Sequence, residues 1–418
     1  MEIQRDYYLN ELISRERNGL IKIITGLRRS GKTYLLFNIF YKYLLNKGIE
    51  KSHIIDIALD DRLNKELRNP DKMLDYIKEK IVDENLYYIL IDEVQLMDEF
   101  TDVLNSLMHI RNADVYVTGS NSKFLSTDIV TEFRGRGDEI HVYPLSFKEF
   151  TSAYKGTVYQ AWDDYYNYGG MPYVVFCDTT KKKQEYVKSL FEKVYISDII
   201  ERHKKIKNRD ELDELLDILS SSIGSLTNPL KLSKAFKSIK NKTISDKTIS
   251  NYINYFEDSF LISKAKRYDI KGKKYINSPM KYYFEDIGLR NARLNFRQTE
   301  ESHVMENIIY NELKMRKYNV DVGIVEVYEK NKKGNRILKK YEVDFIATQG
   351  DNKYYVQSAL EMNSEEKAKQ ERKSLVNIND SFKKIIVVKD DVKPRKDDNG
   401  ITTIGIFNFL LEDNSLDL

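Results

Sequence analysis

The sequence carries a single cysteine, Cys177, so no intrachain disulfide can form and no cysteine cluster can hold zinc. It has no apolar run approaching the ~20 residues of a membrane-spanning helix, which sets a membrane partner aside. The N-terminal Met1-Glu2-Ile3-Gln4-Arg5-Asp6 lacks the basic-then-apolar order of a secretory signal. A reducing cytoplasm is the expected location. A dominant charge sign is missing as well. The net charge is +3 over 418 residues, which argues neither for nor against nucleic acid, so the distribution of charge matters more than its sum. What is present suits a soluble protein with real cores: 41% of residues are hydrophobic and 32% charged. The length predicts two or three domains.

One stretch organises the rest. Gly26-Leu27-Arg28-Arg29-Ser30-Gly31-Lys32-Thr33 fits the P-loop pattern G-x-x-x-x-G-K-[ST] without departure. Gly26 and Gly31 allow the tight backbone turn that converges successive N–H groups on a phosphate chain. Lys32 brings a charge to the β- and γ-phosphates of ATP, and Thr33 brings a hydroxyl to Mg²⁺. The flanks agree with the motif. Leu20 to Ile24 reads as a buried strand. Tyr34 to Leu45 reads as a helix without Gly or Pro, so phosphates would meet a helix N-terminus.

A second apolar run, Tyr87-Tyr88-Ile89-Leu90-Ile91, closes on Asp92-Glu93. In a parallel sheet, functional groups emerge at the carboxyl ends of strands. Asp92 is the expected metal ligand, directly or through water, and Glu93 the group that polarises the attacking water. Further strands are expected at Ser52–Leu59, at Ala113–Ser122 and at Glu139–Tyr143. Thr118, Ser120 and Asn121 are all candidates to sense the γ-phosphate or orient water. Arg134 and Arg136, in a glycine-rich turn, are both candidates for an arginine finger, in cis or on a neighbouring subunit; solvated surface arginines are the alternative.

The set Gly26–Thr33, Asp92-Glu93, Thr118-Gly119-Ser120, Arg134-Gly135-Arg136 and Pro144-Leu145-Ser146-Phe147 resembles a bacterial and archaeal branch of the AAA+ ATPases. Two later stretches share the resemblance: Tyr168-Gly169-Gly170-Met171-Pro172 and Lys281 to Leu289. The resemblance spans nearly the whole chain. It implies an α/β fold: a P-loop NTPase core with a parallel sheet over residues 1–150 and a helical lid over 151–228. A winged helix over 229–299 and a nuclease-like α/β domain over 300–418 then follow. It implies ATP binding with slow hydrolysis, and no particular cellular role. In the lid region, Arg202 and His203 could reach a nucleotide, with a surface role as the alternative.

The segment after Pro229 supports the winged-helix reading independently. Lys231–Ile239 and Lys247–Phe260 read as two helices, the second capped by Ser245-Asp246. Ile249, Ile253, Phe256 and Phe260 share one face of that second helix, and Lys247, Ser250, Asn251 and Asn254 the other. Strands flank a turn at Gly272. From Lys231 to Lys281 there are 13 Lys or Arg against 4 Asp or Glu, a surplus of nine, whereas the remainder of the chain is net negative. A basic excess on such a fold is the electrostatic footprint of double-stranded DNA; a protein–protein module is the alternative.

The tail order resembles the PD-(D/E)xK restriction-endonuclease fold, with Glu306 and Asp344 at acidic positions. Gln357 stands where a further acid is expected, and Ala359 where the lysine is expected. A metal-dependent nuclease needs those carboxylates and that lysine, so this domain is expected to be inactive, unless Lys353 or Lys367 substitutes in space. The expectation is an ATPase that binds DNA. The competing readings are a nucleotide-gated switch acting on a protein partner, a homo-oligomer among the options, and an ATPase-linked nuclease.

Overall fold

The computed structural model describes residues 3–119, 135–196, 199–200, 206, 208–240, 243–297, 300–331, 334–362 and 364–418. The chain forms two compact units, residues 1–145 with 258–260, and residues 146–257 with 261–418. Among the described residues, no helix is long and apolar enough to cross a membrane.

The first unit is built on five parallel strands: β1 (Ile21–Thr25), β2 (Ile54–Ala58), β3 (Tyr87–Asp92), β4 (Ala113–Thr118) and β5 (Gly137–His141). Their order across the sheet is β2-β3-β4-β1-β5. Both faces are covered at the central strand β3, which is why it reads as an apolar run, Tyr87 to Ile91, rather than as an alternation. Ile23, Ile89, Ile91, Val115 and Val117 face helices Pro70–Lys80 and Phe100–Leu107 through Met73, Ile77 and Leu104. Ile24, Leu90, Tyr116 and Ile140 face the opposite side, against Tyr8, Leu12, Leu36 and Phe40. Parallel pairing sets Ile24 beside Thr118, and Ile91 beside Val117, so β1, β3 and β4 all end on the same edge. The P-loop, Asp92-Glu93 and Thr118 lie at those three ends.

The second unit joins helices to an eight-stranded sheet of order β12-β13-β11-β10-β9-β8-β6-β7. Its strands are β6 (Ile262–Asp269), β7 (Lys274–Phe284), β8 (Asn319–Lys330), β9 (Arg336–Gln349), β10 (Asn352–Ala359), β11 (Lys383–Val388), β12 (Arg395–Lys396) and β13 (Ile401–Gly405). β6 pairs parallel with β8, Arg267 opposite Val322. The hairpin β6–β7 therefore shares a sheet with strands on the far side of the boundary expected at 299/300. β7 also runs eight residues beyond Ile276, a stretch without a strand signal because Pro279 interrupts the pattern. Three elements near the C-terminus were not expected: β12, β13 and helix Ile406–Leu411. Phe407 of that helix packs against Phe147, Tyr159 and Trp162, so the end of the chain is stitched to helices Phe147–Ala153 and Val158–Tyr168.

The two glycine-bearing motifs that sequence set apart meet in one joint. Asp286 caps helix Ile287–Arg293 by accepting the Leu289 N–H at 3.0 Å, and it accepts the Gly170 N–H at 2.8 Å. Burial pushes its carboxyl up to about 6, against backbone donors that pull it down. Gly169 has φ +77°, and a Cβ there would lie 2.2 Å from Asp286 Oδ1. A Cβ on Gly288 would lie 2.0 Å from the Tyr168 carbonyl oxygen. Asn291 closes the joint by donating to the carbonyls of Tyr166 and Asn167. These motifs hold helices Val158–Tyr168 and Ile287–Arg293 at closest approach; that is sufficient reason for their residue types. Gly288→Ala forces backbone apart where nothing flexible can yield, so a loss of about 3 kcal/mol is expected in urea unfolding. A midpoint within error of wild type would show that the joint relaxes freely.

Candidate functional site

β1 ends at Thr25 and the chain turns at once. Gly26 takes φ +132°, and a Cβ there would lie 2.1 Å from the Val142 carbonyl oxygen, so only glycine fits. Arg29 and Gly31 also lie at positive φ, which curls the backbone between them. Gly31 then starts a helix that runs on through Lys32–Tyr34, Leu35–Phe40 and Tyr41–Asn46. Arg5 braces the loop from outside, donating to the Ser30 carbonyl at 2.8 Å and to the Tyr143 carbonyl at 2.9 Å. Within the loop, the Lys32 ammonium folds back onto the carbonyls of Gly26 and Leu27, at 3.0 and 2.8 Å. The buried Ser30 hydroxyl has no hydrogen-bond partner. A strongly held cation facing carbonyls, beside an unsatisfied hydroxyl at a helix start, is a cradle suited to an anion.

Asp92, at the end of β3, lies opposite this loop and is 1% exposed. Thr33 donates its hydroxyl to both carboxylate oxygens, at 3.1 and 2.9 Å. Thr118, at the end of β4, donates to Oδ1 and accepts the Glu93 N–H at 3.1 Å. Burial raises the Asp92 pKa, and the two hydroxyl bonds pull against it. Glu93 itself sits at φ +53°, a conformation uncommon outside glycine, and its carboxylate accepts from Gln95. Such strain is found where surrounding structure fixes a functional side chain. The arrangement gathers one ammonium, two hydroxyls and two carboxylates at one sheet edge. The hydroxyl of Thr33 and the carboxylate of Asp92 are the hard oxygen donors that Mg²⁺ takes.

Every P-loop residue, with Asp92, Glu93 and Thr118, is thus drawn together. Ser120, Asn121 and Arg134 lie outside the described residues, as do Arg202 and His203. Arg136 is described and exposed, and donates to Asn105 Oδ1 at 3.2 Å. It precedes Gly137, which pairs with Ile21 at the start of β1, whereas the P-loop follows the end of β1. At ~3.3 Å per residue the length of the strand separates Arg136 from its own P-loop. The register thus sets Arg136 beside the start of β1, away from the P-loop of its own chain. Arg5 and Gln95 belong to no motif; they act on loop carbonyls and on the Glu93 side chain respectively.

A second constellation lies in the other unit. Glu306 of helix Glu301–Met315, Asp344 of β9 and Gln357 of β10 do converge. Ala359 is buried in the core, Lys353 lies over the Phe382 ring, and Lys367 pairs with Glu361; none of these supplies a lysine to the cluster. The cation there is Lys281 of β7, which sequence had counted with the basic surface. It is 3% exposed and pairs with Glu306 at 2.8 Å and Glu342 at 2.7 Å. Its available signal was the alternation that puts Lys281 and Tyr283 on one face, next to the aromatic end Tyr282-Tyr283-Phe284 of the strand. Among the described residues, no group of three or more His, Cys, Asp or Glu is arranged to hold a metal ion.

Comparison with known proteins agrees with the first site. Residues 18–151 match a family model described as an AAA domain, and residues 159–300 one described as a domain of unknown function (DUF8612). In its parallel core and its P-loop the chain agrees with the AAA-domain match over residues 18–151. It belongs to the same family as an uncharacterized protein of Haemophilus influenzae, 33% identical over 98% of this chain and 99% of that one. The uncharacterized protein MJ1544 of Methanocaldococcus jannaschii is 31% identical over 84% of this chain and 77% of its own. Among solved structures, the Walker-type ATPase PABY2304 of Pyrococcus abyssi aligns over 70% of this chain and 96% of its own, at 13% identity and TM-score 0.47. The Aeropyrum pernix ORC1 protein, solved in complex with DNA, aligns over 73% and 94%, at 12% identity and TM-score 0.31.

The family implies nucleotide binding, and Thr118 offers a test of how the site is wired. Thr118→Val removes a hydrogen bond to a buried carboxylate, worth about 1.5–3 kcal/mol. ATP affinity without Mg²⁺ should hold, while the gain in affinity on adding Mg²⁺ should fall about tenfold, and Thr118→Ser should restore it. An equal loss with and without Mg²⁺ would assign Thr118 to general stability instead.

Proposed function

We propose that this protein hydrolyses ATP, with Lys32 and the loop N–H groups holding the phosphates, Thr33 and Asp92 holding Mg²⁺, and Glu93 activating water. The observation that carries the reading is the bonded chain Thr33–Asp92–Thr118–Glu93, which ties the helix after the P-loop to the ends of two strands. Bound there, Mg²⁺ would neutralise phosphate charge. The rest belongs to the chain: Asp92 is kept as a ligand by two hydroxyls, and Glu93 is fixed at a strained backbone position beside it. Arg136 is a candidate for completing the site of a neighbouring subunit, since the strand direction turns it away from its own. Lys32→Ala should lose nucleotide affinity. Glu93→Gln should bind ATP normally and turn it over about 100-fold more slowly. Unchanged turnover in Glu93→Gln would remove Glu93 from the chemistry.

We infer further that residues 229–299 act as a winged helix on double-stranded DNA. Helices Pro229–Lys240 and Asp246–Asp258 lead into the hairpin β6–β7, the order of a helix-turn-helix with a wing. Ile249, Ile253 and Phe256 are buried, whereas Lys247, Asn251 and Asn254 are exposed on the second helix. Lys266, Lys273 and Lys274 are exposed on the hairpin, while Lys281 adds nothing to the surface charge. A phosphate-contacting lysine changes the salt slope of binding by about one. Lys247→Ala and Lys274→Ala should each weaken duplex binding and flatten its salt dependence by about that amount. Duplex binding with no salt dependence, or none at all, would favour a protein partner for this surface.

A further inference from the structure

The buried cluster around Lys281 asks for an explanation that neither the nucleotide site nor the basic surface supplies. Three carboxylates from two elements, Glu306, Glu342 and Asp344, surround one ammonium that comes from a third. Lys281 Nζ stands 2.8 Å from Glu306 Oε1, 2.7 Å from Glu342 Oε1 and 3.6 Å from Asp344 Oδ1. The remaining partners are already engaged. Tyr283 donates its hydroxyl to Glu306 at 2.6 Å, and the Ser358 N–H donates to Asp344 Oδ2 at 2.9 Å. His303 Nδ1 lies 3.7 Å from the other Glu306 oxygen. Gln357 accepts the Asp344 N–H at 3.4 Å and turns its amide to Glu371. Carboxylates converging on one point from a helix and a strand are what a divalent cation takes. Here the point is filled by a side chain of the chain itself.

We propose that Lys281 takes the seat of a divalent cation in this domain, closing it to metal while fastening the hairpin β6–β7 to helix Glu301–Met315 and β9. The proposal rests on the placement of the four side chains and holds whether or not the domain descends from a nuclease. It accounts for three facts together. The cluster has no lysine at position 359, because its cation arrives from another strand. Gln357 need not be an acid, because one internal charge replaces two. Glu342, which no motif flagged, is the third partner an ammonium with three donors can satisfy. Protonation agrees with this. Burial pulls Lys281 down, but the carboxylate charges more than offset it and hold it above its usual value. Asp344 is raised to about 7, first by burial and then by the charge of Glu306.

The test uses the full chain without nucleotide, with Mn²⁺ alone as the probe. Wild type, Lys281→Ala and Lys281→Ala/Asp344→Asn are melted with and without Mn²⁺, and bound Mn²⁺ is counted by electron paramagnetic resonance. The wild type registers whatever the nucleotide site contributes. Lys281→Ala should melt lower than wild type, gain about 2–4 °C more than wild type from Mn²⁺, and bind one additional ion. Adding Asp344→Asn should abolish that excess. Should Lys281→Ala not fold alone, recovery of its fold by Mn²⁺ is the expected result, and Lys281→Met, which keeps the stem without the charge, is read in the same way. Folded Lys281 variants with no excess Mn²⁺ over wild type would overturn the proposal. So would wild-type Mn²⁺ binding that Asp344→Asn removes, because the seat would then be open with Lys281 in place.

Discussion

A carboxylate placed almost out of reach of water must be held by something, and at the end of β3 that something is two hydroxyls. Asp92 takes one from the helix behind the P-loop and one from the neighbouring strand. Removing a charged group from water costs several kcal/mol unless hydrogen bonds replace its hydration. The register of β1, β3 and β4 is what makes those bonds possible, because it brings three strand ends level. The glycine at Gly26 follows from the same constraint: the backbone of Val142 comes so near the turn that no side chain fits. The position of Glu93 is tied to the same acid, because Thr118 holds both the Asp92 carboxylate and the Glu93 N–H.

The same physics runs with opposite result in the second unit. There an ammonium stands among the acids, within hydrogen-bond distance of Glu306 and Glu342, and occupies the space between them. One sheet edge therefore keeps its charges for something that arrives, and the other spends them inside. A family resemblance that treats both as sites for metal would not separate these outcomes. The separation depends on a residue, Lys281, that belongs by sequence to one region and by contact to another.

Much of the first site was legible because its residues are local. The P-loop is eight consecutive residues, Asp92 and Glu93 are adjacent, and the periods of the flanking elements identify strand and helix. Thr118 was legible only as one of three candidates; the choice needed the pairing of β4 with β3. Arg136 shows the limit from the other side. Its motif is local, but which end of a parallel strand it occupies decides what it can reach, and that follows only from register. In the tail, Glu306, Asp344 and Gln357 were legible from the resemblance in the order of elements, and the cation was not, since nothing in the spacing of Lys281 ties it to Glu342. The last strands escaped because Ile401-Thr402-Thr403-Ile404 is short, and a short apolar run does not declare its partner.

The outer strand of the hairpin has one more property. β7 is terminal in its sheet, and among the described residues its far edge is met by the bridge between Thr227 and Met280 and by the Gly224 N–H on the Tyr282 carbonyl. The opposite rim is β12, two residues long. Open rims invite another chain to add a strand. Here one rim is too short to template pairing. The other carries Pro279, which has no N–H to offer, and exposed lysines at positions 273 and 274, which repel a second copy laid alongside. The lysines that we propose meet phosphate would also guard this rim against the addition of a second copy.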